Sequence, residues 1–145
     1  MFKVQTQNGG EGVESVNLNN GILAEELVSV ALLEDGFNVA RPVRIGPIDL
    51  LSIWDGKVIN RLQVKSCSKR TLEANMRYEF KVTQAGKNYA ESDVDFVVFV
   101  GVETKSFWVV PMKKIGSRLK INTTIGGNGA FDRFFGAFKL LRQNG

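Results

Sequence analysis

Two apolar runs, 48–54 and 57–65, meet at Asp55-Gly56, and they constrain the fold of this chain more than any other feature. Asp-Gly between such runs predicts a tight β-hairpin, because the favoured two-residue turn needs positive φ at both central positions. A hairpin alone is marginal in water and needs further strands or a helix to cover its apolar face. "DFVVFVGVETKSFWVVP" supplies two strands, 95–103 and 107–110. The first is apolar on both faces, which predicts an interior strand beside a parallel neighbour and covered on either side. "FNVARPV" adds a short strand limited by Pro42.

Helical spacing brings Leu18, Ile22, Ala24, Leu27, Val28, Ala31 and Leu32 together over 17–35, with Gly36 as the stop. Thr83 can cap a second helix over 84–91 that turns Ala85 and Tyr89 inward. "AFDRFFGAFKLLRQ" predicts a C-terminal helix with Phe131, Phe134, Phe135, Phe138 and Leu141 on one stripe, for the core or for a second copy. The preceding "TIGGNGAF" lacks the lysine of a phosphate-binding loop and reads as a flexible connection. The expected architecture is α/β, a mixed central sheet of about five strands flanked by helices, in one domain over 1–145.

Composition then removes whole classes of chemistry. The chain has no histidine and one cysteine, which excludes Ser-His and Cys-His catalysis, the usual zinc sites and an internal disulfide. A reducing cytoplasm is the expected compartment, since residues 1–10 hold no signal-peptide core and no apolar run approaches a membrane span. Charge is uneven: residues 1–40 carry six acids against one lysine, whereas 57–89 carry eight Lys and Arg against two acids. Residues 111–145 carry seven against one, so two segments suit a polyanionic partner or a solvated basic face.

Polar residues inside the hairpin locate the chemistry. Gln63 and Lys65 are two apart on one strand and share a sheet face. Pairing about Asp55-Gly56, with partner numbers summing to about 111, sets Asp49 near residue 62 and hence beside Gln63. The Asp49 carboxylate, the Gln63 amide oxygen and the Val64 carbonyl can there converge as hard oxygen ligands for Mg²⁺. Lys65, one step further, can act on an attacking water or offset charge on a phosphoryl transition state. The same spacing also fits a plain Asp49–Lys65 ion pair, although burying one gains little stability over apolar residues.

In order along the chain, "GILAE" (Gly21 to Glu25), "GF" (Gly36, Phe37), "IDLL" with Asp49 and "QVK" with Lys65 resemble the PD-(D/E)XK nuclease superfamily. Within it they are most similar to archaeal Holliday-junction resolvases and intron-encoded homing endonucleases. The resemblance spans about Gly21 to Met112 and implies a restriction-endonuclease-like core and metal-dependent phosphodiester hydrolysis, with Mg²⁺ or Mn²⁺ as the ion. It makes Asp49 the central ligand, Glu25 a helix-borne carboxylate at the metal, Gln63 the occupant of the second acidic position, and Lys65 the family lysine. Glu26 competes with Glu25, but a helix turns about 100° per residue, so one of the two faces the cleft. The family's Pro-Asp is here Ile48-Asp49, with Pro47 one place early, and Gln63 is neutral.

Implied partners are double-stranded or branched DNA and further copies of the chain, as a homodimer or homotetramer, because one site faces two antiparallel strands. Lys69, Arg70, Arg77, Lys81 and Lys87 follow the site, and Arg41 and Arg44 precede it, as candidate phosphate contacts. Asp93 and Asp95 read as strand-edge polar residues, and Ser66 and Ser68 as weak phosphate donors. The leading reading is a site-specific DNA endonuclease. Junction resolution and a non-catalytic DNA-binding module are the alternatives.

Overall fold

The computed structural model of the chain describes residues 11–71, 77–84, 87–88 and 93–144, with side chains for all of these except 11–18, 83–84 and 87–88. Helix α1 (Glu11–Glu34) starts earlier than the 17–35 expected. It stops at Gly36 (φ 92°), where Phe37 N–H donates to Leu32 O (2.9 Å) and Gly36 N–H to Leu33 O (3.1 Å). Phe37 and Leu32 are buried together, the apolar contact that accompanies this type of helix end.

Strands β1 (Asn38–Ala40), β2 (Leu50–Trp54), β3 (Val58–Cys67), β7 (Phe96–Gly101) and β8 (Ser106–Pro111) form a mixed five-stranded sheet in the order β1-β2-β3-β7-β8. Only β3 and β7 run parallel among these pairs. The α/β sheet expected from sequence is therefore present, with β7 in its interior. At the hairpin, Asp55 and Gly56 both take positive φ (52° and 65°), and Lys57 N–H closes the turn on Trp54 O (3.0 Å). Trp54 pairs with Val58, so Lys57 is one residue extra and partner numbers sum to 112, not 111. The slip matters, because it sets Asp49 level with Gln63 itself.

Both faces of β7 are covered. Phe96, Val98 and Val100 join Ala24, Val28 and Leu32 of α1 with Leu50, Leu62 and Val64. Val97 and Phe99 join Trp108 and Val110 with an antiparallel ribbon of β4 (Tyr78–Lys81) and β9 (Lys120–Thr123) and the short helix α2 (Met112–Ile115). Each such side chain contributes about 1.5–3 kcal/mol by leaving water. Gly101 has no side chain because Tyr78 needs its space: a Cβ there would lie 2.4 Å from the Tyr78 ring.

Four expectations are corrected. Thr83 does not cap a helix over 84–91: β5 (Thr83–Gln84) pairs antiparallel with β6 (Lys87–Asn88), while Ala85 and Tyr89 lie outside the described residues. Ile22, expected in the buried stripe, is exposed, whereas Ala24, Val28 and Leu32 are fully buried. The C-terminal Phe stripe is not one helix but two 3₁₀ turns, Asp132–Phe134 and Phe138–Arg142, parted by Gly136 at φ 61°. Phe131 and Phe134 serve the core on one side of the sheet, while Ala137, Phe138 and Leu141 serve the core on the other. One straight helix cannot reach both, so the chain turns around the edge of β8, where Gly136 N–H donates to Phe107 O (2.8 Å). The "TIGGNGAF" segment is also more organised than a flexible connection, since Asp132 accepts Thr124 N–H (2.7 Å) and Gly129 N–H (2.8 Å).

Candidate active site

The unequal lengths of β2 and β3 create the site. β2 begins at Leu50, opposite Leu62, but β3 runs on to Cys67 with β7 as its one strand partner there among the described residues. Beyond Leu62 the β3 edge facing β2 lacks a strand, and Val64 N–H would be left without an acceptor. Asp49 supplies it: its backbone N–H donates to Leu62 O (2.8 Å), and its Oδ2 accepts Val64 N–H (2.8 Å) and Gln63 Nε2–H (2.8 Å). Gln63 is buried, and Nε2 also leans toward Val64 O at 3.4 Å. Its Oε1 is fully enclosed and receives no hydrogen bond among the described residues.

Two clefts flank this line of residues. One, about 220 Å³, is bordered by Glu25, Asp49, Ile48 and the loop Arg41–Gly46. The other, about 450 Å³, is bordered by Asn20, Lys65, Ser66, Ser68, Glu79 and Lys81. Glu25 reaches the first cleft from α1. Glu26 points away, 60% exposed, and pairs with Arg41, whose Nη1 also lies 3.8 Å from Glu25 Oε1.

The charges are uncomfortable in one another's company. Burial raises the Glu25 carboxyl above its ordinary value and the Asp49 charge raises it further, against an opposing pull from Arg41. Burial likewise raises Asp49, although Val64 N–H, Lys65 and Arg41 oppose it. Lys65 is lowered by burial, with Asp49 pulling the other way. A group of titratable side chains all shifted toward neutrality in a cleft is the pattern of a functional site.

The donor set also fits a hard divalent cation. Asp49, Glu25 and the Val64 carbonyl are all oxygens; the sequence put the Gln63 amide oxygen with them, but here Nε2 faces Asp49 and Val64 O, so the enclosed, donorless Oε1 joins the set when the amide turns over. No group of three or more His, Cys, Asp or Glu that could hold a metal occurs among the described residues, so a cation held here would need neutral oxygens as well.

The candidate DNA contacts divide into three kinds. Arg44, Lys69 and Lys81 are exposed, and Arg44 and Lys81 border the two clefts. Arg41 and Arg70 are engaged in ion pairs, Arg41 with Glu26 and Arg70 with Glu103 at 2.9 Å. Arg77 is half-buried with its Nε enclosed, and the side chain of Lys87 lies outside those described. Asp95 stands apart from the site: it clamps Arg61, accepting its backbone N–H (2.7 Å) and its guanidinium (3.0 Å). Ser66 and Ser68 both border the Lys65 cleft.

Asn20 and Glu79 were not anticipated from sequence. Asn20 directly precedes "GILAE", and Glu79 sits in the alternating Tyr78-Phe80-Val82 pattern that also marks β4. Glu79 carries its own counter-charge, Lys120 Nζ at 3.0 Å.

No helix among the described residues is long and apolar enough to cross a membrane. No curated protein matches the sequence. The chain is similar in structure to a bacterial homing endonuclease, I-Ssp6803I, with a TM-score of 0.72 over 94% of each chain at 20% identity, a likeness of fold. The family model of the PD-(D/E)XK endonucleases matches residues 18–128. With its mixed sheet, the QVK strand and the Asp49 notch inside that match, the chain belongs to the PD-(D/E)XK endonuclease family.

Proposed function

We propose that this protein is a Mg²⁺-dependent DNA endonuclease, with Mn²⁺ as a working substitute, that cleaves double-stranded DNA at defined sites. The observation that carries the reading is the Asp49–Gln63–Val64 cluster, with Lys65 two residues along the same strand and Glu25 in the adjoining cleft. Asp49, Glu25 and Val64 O are the groups that would hold the ion, with Gln63 Oε1 joining them once the amide turns its oxygen toward Asp49. A divalent cation, when bound, supplies charge neutralisation for a phosphate and makes water more acidic.

The chain's own residues do the rest. Lys65, half-buried with its proton loosened by burial, is suited to hold or pass a proton at Nζ beside the attacking water. Its positive form offsets the charge that grows on the phosphate oxygens. Arg44, Lys69 and Lys81 set the phosphate backbone in register without reading sequence. In-line attack of water then yields a 5′-phosphate and a 3′-hydroxyl. Because each chain carries one such site, cutting both strands calls for a twofold-related second copy, as a homodimer or within a homotetramer.

The test is incubation of the protein with supercoiled plasmid, genomic DNA and a synthetic four-way junction in Mg²⁺, Mn²⁺ or EDTA, beside Lys65→Ala. Metal-dependent duplex cutting absent from the variant is the expected result. Cutting confined to the junction overturns site-specific cleavage in favour of resolution, and binding without cutting in any metal favours a non-catalytic module.

A further inference from the structure

Val43 and Ile45 are 101% and 106% exposed, whereas the other exposed large apolar side chains lie between 40% and 63%. They bracket Arg44 on a segment entered through Pro42, which fixes φ, and left through Gly46-Pro47. Both are β-branched and stiff at χ1, so they project from the loop as firm apolar tips and do not fold back onto the surface. The same loop borders the cleft that holds Glu25 and Asp49, so a ligand in that cleft lies beside Val43 and Ile45.

A partner recognised only through its phosphates would need Arg44 and its neighbours but gain nothing from two bare aliphatic side chains. A stacked duplex offers both chemistries, an anionic backbone and flat apolar base faces exposed when a step opens. We propose that Val43 and Ile45 are a wedge that enters a base step beside the scissile phosphate, with Arg44 holding the flanking phosphate. The proposal rests on the endonuclease reading and adds a source of selectivity. Apolar wedges kink DNA by parting adjacent bases, and pyrimidine–purine steps part most easily. Cut sites therefore gather at such steps even where no side chain hydrogen-bonds a base edge.

The test uses the full chain, Mg²⁺ and a random-sequence duplex library whose cut ends are sequenced. The preferred duplexes are then remade with one mismatched pair at the cut step. The double variant V43S/I45S keeps the fold, because neither side chain packs on the protein. It is expected to cut intact duplex roughly tenfold or more slowly than the wild type, and mismatched duplex at nearly the wild-type rate, since the mismatch has already parted the bases.

Equal rates on intact duplex overturn the wedge, as does a defect that the mismatch fails to relieve. A change in sedimentation of the variant overturns it in favour of a contact between copies. If the wild type cuts nothing in the library with any divalent metal, the endonuclease reading itself falls and takes the wedge with it.

Discussion

Asp49 and Asp95 both flank β3, and each accepts a backbone N–H from it, Val64 at 2.8 Å and Arg61 at 2.7 Å, yet the two carboxylates end in opposite states. Burial works against the charge of Asp95, but the Arg61 side chain and backbone outweigh it and hold the carboxyl below its ordinary value. Burial works against Asp49 too, and there it wins over the opposing pulls of Val64 N–H, Lys65 and Arg41, the nearest side-chain partner being a neutral amide. One carboxylate is satisfied within the chain and holds register. The other keeps a net cost for its charge despite Lys65 and Arg41, the property that the proposed metal site would use.

Replacement is the strongest way to break this contrast. Asp49→Ala is expected to lower the cleavage rate by on the order of 10²–10³-fold. Asp95→Ala, assayed per folded molecule on the same DNA, is expected to leave it within about threefold; a matched loss would put the two carboxylates in one machine. Exchanging Gln63 for Glu sharpens the contrast by adding negative charge where it is least wanted. Urea titration in EDTA should show Gln63→Glu less stable than the wild type by about 1–3 kcal/mol, and calorimetry should show tighter Mg²⁺ binding.

Stability separates the pair in the reverse sense. Asp95→Asn should cost about 1–2 kcal/mol in metal-free urea unfolding, a figure held down by partial exposure of the ion pair to water. Asp49→Asn should change stability by less than about 1 kcal/mol, because removing the disfavoured charge offsets the weakened hydrogen bond to Gln63.

The smallest effect is in pH dependence, and its sign differs between the two. For Asp49, raised in the folded state, metal-free stability is present below its ordinary value of 3.8 and is lost as pH rises through the folded value. For Asp95, lowered in the folded state, stability is present above 3.8 and is lost as pH falls through the folded value. Carboxyl ¹³C titration by NMR in EDTA should find Asp49 deprotonating above 3.8 and Asp95 below it. The same order for both would remove the contrast.

The sequence carried much of this where local rules and tertiary demands agreed. Asp55-Gly56 needed positive φ and received it, and the two-faced apolar run at 96–100 could only be an interior strand. The proposed site could be read from sequence as a cluster because Asp49, Gln63 and Lys65 interrupt apolar strands, and the structure does bring Asp49 and Gln63 into contact. Tertiary context overruled local pattern elsewhere. Phenylalanines three and four apart serve a 3₁₀ turn as well as an α-helix, and only the sheet edge between the two cores decides for turns. The ribbon of β4 and β9 pairs residues far apart in sequence, so neither strand had a local partner to announce it, although Tyr78, Phe80 and Val82 alternate. Arg41 and Arg70 looked available for phosphate because a sequence does not display the Glu26 and Glu103 that engage them.

Asn60 gives the fold a timetable. Its buried amide, near the start of β3, donates to Leu141 O (3.2 Å) and Gln143 O (2.9 Å), 81 and 83 residues downstream. On a ribosome making the chain from its N-terminus, the hairpin that carries the QVK strand emerges long before those acceptors do. Until they arrive, the central strand lacks two of the acceptors that its Asn60 amide uses in the finished fold. Deleting the residues from Leu141 to Gln143 would take both acceptors away, so that small deletion should harm the fold out of proportion to the length removed.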